Sequence, residues 1–260
     1  MGSVPGNRFM ARLRKAGCQS GFWLSSASAT VAEVAGGAGF DFAVIDAEHS
    51  PNTITTILDQ IRVLEAASVD PIVRPGANDA IRIRQCLDIG ARTILVPMVN
   101  TAREAEEAVR ATRYPPAGIR GVSMGHRAFG YGRRANYLRE ADAEICVIPQ
   151  IETLEAVANL EAIASVDGVA AVFVGPADLT ADMGLIGQTD HADYRALLAD
   201  IAHRCSALGV RFGTLAAGAD QARARRALGA GFVAAGTDIG LLRQATDALV
   251  GYLGTHGDER

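Results

Sequence analysis

The strongest constraint on how this chain can fold is an alternation. Eight short runs of small, β-branched and aromatic residues recur at 21–25, 42–46, 71–75, 93–98, 145–151, 169–175, 210–215 and 232–237. They read GFWLS, FAVID, PIVRP, TILVPM, ICVIPQI, VAAVFVG, VRFGTL and FVAAGT. Extended runs separated by amphipathic helical ones are the alternation expected of an α/β fold with a parallel sheet. Helically spaced stretches follow most of them, among them TVAEVAGGAG, TITTILDQIRVLEAAS, NDAIRIRQCLDIG and TAREAEEAVRATR. Several open on a Thr or Asn suited to cap a helix, and Gly90 stands where the third should stop. Eight βα units in 260 residues match the size and count of an α/β fold of the (β/α)8 TIM-barrel type. A doubly wound sheet would more often show a GxGxxG turn after its first strand, and none is present. The expectation is a single barrel domain over residues 1–260. The longest interruption, 115–144, is rich in Gly and Arg and reads as an elaborated βα loop over the barrel mouth or at a subunit contact.

Composition narrows the function classes. A net charge of −4 with dispersed arginines offers no basic field for nucleic acid. No apolar run approaches the roughly 18 residues of a membrane span, and the N-terminus lacks the apolar core of a signal peptide. The expectation is therefore a cytoplasmic protein with no membrane partner. Cys18, Cys86, Cys146 and Cys205 are isolated, which suggests neither a zinc site nor a disulfide framework. Lys15 is the only lysine and precedes the first strand, so Schiff-base chemistry is close to excluded.

In a barrel of this kind the active site gathers where strands end and βα loops begin. Those ends carry Trp23 and Ser25, then Asp46, Glu48 and His49, then Arg74, then Gln150 and Glu152, then Asp178, then Thr214 and Leu215, then Thr237 and Asp238. Singly, each has an ordinary explanation: Asp178 or Glu152 can complement a helix N-terminus, Arg74 can pair with either, and His49 can be a loop residue. Together they favour a site on one rim. Two carboxylates from successive strand ends, with no HxxxH or paired cysteines, form a hard oxygen-donor set suited to Mg²⁺, Mn²⁺ or a similar ion. Such an ion has positions left for a bidentate 2-oxo acid. The Gly175-Pro176-Ala177-Asp178 turn can offer backbone N–H groups to the acid's carboxylate. Arg74 suits a developing enolate oxygen, and His49 a proton transfer near neutral pH. Nothing calls for an organic cofactor.

The motifs IDAEHSPN, VRPGAND, PPAGIRG, PQIET and VGPADLTADMG, in that order, resemble the HpcH/HpaI aldolase family from about Gly21 onward. The resemblance implies a metal-dependent class II pyruvate aldolase, using Mg²⁺, Mn²⁺ or Co²⁺, whose partners are a small 2-oxo acid and an aldehyde. It further implies Glu152 and Asp178 as metal ligands, His49 as base and Arg74 as stabiliser of the transition state. Gln150 and Ala177, with Gly175 and Pro176 of the same turn, match substrate contacts. Trp23 and Leu215 match the aldehyde end, with Asp46 and Glu48 behind the catalytic groups. Asp88, in LDIG, matches an aspartate that raises the basicity of the histidine. It falls near the C-terminal end of its helix, on the opposite rim, so it either assists from a neighbouring subunit or is an ordinary solvated surface aspartate. Family members are similarly hexamers, trimers of dimers with the last helix exchanged, which points to ALVGYL at 248–253 as a packing segment. Ala47 and RPGAND depart from the family's usual residues, which implies a more open acceptor side of the pocket. The alternatives are a related lyase acting on an acyl-CoA thioester of the citryl or malyl type, and a barrel that binds metabolites without turnover.

Overall fold

The computed structural model describes residues 4–254. Eight strands, β1 (Gln19–Leu24), β2 (Phe42–Asp46), β3 (Asp70–Arg74), β4 (Thr93–Val96), β5 (Cys146–Ile151), β6 (Ala171–Val174), β7 (Arg211–Leu215) and β8 (Phe232–Thr237), pair in chain order and close into a barrel. Every pairing is parallel, including β8 on β1, where the register slips between Gly21 and Trp23. Each strand falls within or beside the run that anticipates it.

Alternate residues along a strand face opposite sides of the sheet. In β2, Ala43 and Ile45 join the apolar layer between barrel and helices, while Phe42 and Val44 join the packed interior with Trp23, Ile72, Phe173 and Phe232. Glycine makes the interior fit: a Cβ at Gly21 would enter the Phe42 ring, and one at Gly213 the Phe232 ring. The amino end of the barrel is plugged by a short helix, Arg8–Leu13, capped by Asn7. Phe9 is fully buried there, edge-on to Phe42 and Phe232 at 5.4 and 5.2 Å, and Arg8 and Arg12 both pair with Asp70.

Thr53 and Thr101 cap the helices Ile54–Ala66 and Ala102–Thr112 as anticipated. Two other caps differ by position. Ser28 and Asp79, not Thr30 and Asn78, accept the first free N–H groups, because their side-chain oxygens reach residues two or three further on. Gly90 takes φ 108° directly after the last capped residue, Ile89, a conformation that favours glycine.

One expectation is corrected. The 115–144 segment does not cover the barrel mouth. Helix Ala102–Thr112 has already returned the chain to the amino end of the sheet, so the segment between it and β5 lies on that lower rim. It is tied there: Asn7 bonds Glu144, Arg127 donates to the Ile89 carbonyl, and the Ala128 N–H to the Asp88 carbonyl. The last helix, Asp238–Tyr252, buries only Asp238, whose carboxylate accepts from the N–H groups of Ser25 and Ser26. No helix among the described residues is long and apolar enough to cross a membrane.

Candidate active site

Glu152 follows β5 directly and is buried to 1 % exposure. Its Oε1 accepts the Met98 N–H at 2.7 Å, and its Oε2 accepts Gln150 Nε2 at 2.6 Å. Met98 takes a left-handed backbone, φ 52°, where it makes this bond. Gly175 closes over the carboxylate from β6; a Cβ there would strike Glu152 Oε2 and Cβ, so no larger residue fits unless Glu152 moves. The next residues, Pro176–Asp182, form a short helix with proline in its first turn and no side-chain cap, and Asp178 is exposed in that turn. Burial pushes the Glu152 carboxyl up to about 7; the Met98 N–H works against this, and the charges of Asp178 and Glu48 add to it.

Arg74, at the end of β3, is the cation of the set. Its Nε and Nη2 hold both oxygens of Asp46 at 2.9 and 2.8 Å, its Nη1 lies 2.8 Å from Glu48 Oε2, and its guanidinium lies 4.7 Å above the Trp23 ring. A planar fork held on two edges and one face is fixed before any substrate arrives. Burial alone would raise the Asp46 carboxyl, but Arg74 and the N–H groups of Glu48 and His49 hold it below its ordinary value. Glu48 goes the other way, raised by burial, with Asp46 and Asp178 nearby and only partial relief from Arg74 and His49.

The loop carrying His49 is folded over its own strand end, with Ser50 and Asn52 side chains donating to the Asp46 carbonyl. His49 is exposed, its Nε2 3.9 Å from Glu48 Oε2. Trp23 and Leu215 share one apolar cluster, and Trp23 packs on Phe173 at 5.8 Å. Leu215 also borders a cavity of about 290 Å³ between the Pro176-Ala177 turn and the end of β8. Its walls are mostly Ala and Gly and carry no ionisable side chain. Larger cavities, about 520 and 580 Å³, open on the lower rim away from these residues. Size therefore does not locate the chemistry; the convergence of polar groups does.

The structure thus draws Trp23, Asp46, Glu48, His49, Arg74, Gln150, Glu152, Gly175, Pro176, Ala177, Asp178 and Leu215 to the carboxyl rim. Asp88 is not among them. It ends helix Ala80–Asp88 on the lower rim, paired with Arg120 at 2.9 Å. Sequence reading missed Met98, which contributes only a backbone N–H and so leaves no side-chain signal. It also missed Trp23 as the face under Arg74, since a ring-to-guanidinium stack joins two strand ends that are far apart in sequence.

Among the described residues, no three His, Cys, Asp or Glu side chains are grouped to hold a metal. The fit of a divalent ion is therefore a matter of two carboxylates. Glu152 is desolvated and pressed by two further carboxylates, and Gln150 Oε1 is buried without a hydrogen-bond partner. A cation would relieve that concentration of negative charge, and the donors are hard oxygens, so the residues fit.

Fold and rim together define a (β/α)8 barrel enzyme. Residues 19–245 match the family described as HpcH/HpaI aldolase/citrate lyase, and the chain belongs to it. It is 46 % identical to a 4-hydroxy-2-oxo-heptane-1,7-dioate aldolase of Shigella sonnei (strain Ss046), over 95 % of each chain. A hydroxypyruvate/pyruvate aldolase of Pseudomonas aeruginosa is 45 % identical, over 95 % of this chain and 93 % of that one. Among solved structures, an HpcH/HpaI aldolase/citrate lyase family protein from Burkholderia cenocepacia J2315 superposes with a TM-score of 0.91 at 36 % identity, covering 95 % of this chain and 99 % of that one.

Proposed function

We propose that this chain is a carbon–carbon lyase, a divalent-metal-dependent class II aldolase acting as a single domain over 1–260. It forms the enolate of pyruvate or hydroxypyruvate and adds it reversibly to an aldehyde; in reverse it cleaves a 4-hydroxy-2-oxo acid. The observation that carries this reading is the convergence on the carboxyl rim of buried Glu152, bonded to Gln150 and the Met98 N–H, with Asp178 after the next strand and the guanidinium of Arg74 held by Asp46 and Glu48. The aldolase names of its relatives support it.

Glu152 and Asp178 would hold the ion, Mg²⁺, Mn²⁺ or Co²⁺, which when bound polarises the ketone and stabilises enolate charge. The turn from Gly175 to Asp178 orients the substrate carboxylate through its backbone N–H groups, and Gln150 holds Glu152 in place by donating from Nε2 to Oε2. Arg74 stabilises the enolate oxygen, already held by Asp46 and Glu48 and so needing little reorganisation. His49 removes the proton from C3 and returns it in the reverse direction. The carbanion carbon then bonds the aldehyde carbon on the side of Trp23 and Leu215, and a proton reaches the new alkoxide.

Asp88 assists His49 from a neighbouring subunit in a cytoplasmic homohexamer, a trimer of dimers. Support comes from its place on the lower rim, against the 115–144 segment, which leaves the side chains of Ile119, Val122, Met124 and Tyr131 exposed.

The test is proton NMR of pyruvate in D₂O with EDTA-stripped protein, before and after Mg²⁺, Mn²⁺ or Co²⁺. Metal-dependent loss of the methyl signal is expected, absent in Glu152→Ala and Asp178→Ala and slowed roughly 10²- to 10⁴-fold in His49→Ala. A folded, metal-loaded protein that exchanges nothing overturns the reading in favour of a thioester lyase or a barrel without turnover.

A further inference from the structure

Arg120 is the largest side chain that the described protein buries completely. It lies in the 115–144 segment, remote from the carboxyl rim. Its Nη2 donates to Asp88 Oδ1 at 2.9 Å and to Tyr137 Oη at 3.3 Å. Its guanidinium sits 4.7 Å from the Tyr114 ring and 5.8 Å from the Tyr137 ring. Nε and Nη1 have no hydrogen-bond partner among the described residues. A buried ion pair is a weak stabiliser, since desolvation offsets its Coulomb gain, and unpartnered buried N–H groups make this one weaker. Loop stability alone is a poor account of it.

What the arginine does determine is the direction of one carboxylate. Asp88 closes its helix at the carbonyl end, where the dipole repels its charge, and its side chain is 24 % exposed. Unheld, it would turn to solvent. Ala128 pins the Asp88 backbone through its carbonyl, and His126 Nε2 stands 3.5 Å from Oδ1. The Phe129 N–H donates to His126 Nδ1 and so leaves the ring proton on Nε2. Both side-chain contacts fall on Oδ1; Oδ2 has none among the described residues. We propose that Arg120 is a positioning residue for the reaction: by fixing Oδ1 of Asp88 it presents Oδ2 to His49 of a second copy of this chain. Acting through Asp88, this role rests on the proposed function of that carboxylate.

The experiment compares Asp88→Asn, Arg120→Met, Arg120→Lys and the Asp88→Asn/Arg120→Met double variant in the intact metal-loaded protein. It reads pyruvate proton exchange, KM for pyruvate, melting temperature and mass in solution. Asp88→Asn should slow exchange about 10- to 100-fold, as loss of a group that orients a histidine does. Arg120→Met should slow it by a comparable factor with KM unchanged, and Arg120→Lys, which keeps charge but not the fork, by less. The double variant should be no slower than Asp88→Asn. Normal exchange in Asp88→Asn overturns the role of Asp88, and this inference with it. A slow Asp88→Asn beside normal Arg120 variants, or a double variant with multiplied losses, overturns the inference alone. So does a slowing that follows lost folding or lost mass in both Arg120 variants.

Discussion

Glu152 shows how one side chain can carry a cost that only function explains. Its ordinary carboxyl value is 4.5, and burial with nearby negative charge raises it to about 7 in the metal-free fold. Between those values the folded state binds more protons than the unfolded one, so stability falls as pH rises through the window. Metal-free protein should thus be more stable near pH 5 than near pH 8, by up to about 3 kcal/mol from this group. The measurement is the difference in melting temperature between wild type and Glu152→Gln in EDTA at the two pH values. Wild type should lose ground to the variant at pH 8; a difference independent of pH would contradict the assignment. Much of the candidate rim was legible at this scale because strand ends can be read off a sequence and Glu152, Asp178, Arg74 and His49 are chemically distinctive. Their couplings were not: the Arg74–Trp23 stack and the Met98 N–H depend on contacts between different strands.

At the scale of elements, the strands were readable because both faces are covered, which leaves apolar runs with few interruptions. The N-terminal plug was not, since a six-residue helix is too short to show a period, and only Asn7 ahead of Phe9 and Leu13 hints at it. The 115–144 segment misled for a different reason: its composition says loop, but only the count of helical returns says which rim. The plug also gives a prediction. Phe9 is fully buried between two edge-on rings, so Phe9→Ala should cost about 3–5 kcal/mol. In a chain of this size that lowers the melting temperature by about 10 °C. Because the plug sits at the end of the barrel opposite Glu152 and Asp178, pyruvate exchange at 25 °C should change little. Calorimetry showing an unchanged melting point would mean that Phe9 is not packed as described.

The whole molecule poses one remaining question, why its last helix stays so wet. Helix Asp238–Tyr252 keeps Leu241, Leu242, Leu249 and Tyr252 exposed, Tyr252 at 93 %. Apolar side chains left exposed along one helix are costly in a lone barrel, and a symmetric exchange with a second copy buries them on both sides at once. Leu242→Glu/Leu249→Glu places two charges on that helix without touching the rim. If the helix is exchanged, light scattering after size exclusion should show the variant at a lower mass than wild type, with the barrel's circular dichroism retained. Exchange of pyruvate protons should slow as well, to about the level of Asp88→Asn, because a separated barrel has no neighbour to supply Asp88. An unchanged mass would remove helix exchange as the basis of assembly. A reduced mass with full activity would keep the exchange and instead place every group the reaction needs within one barrel, so that Asp88 on the lower rim would have no part in it.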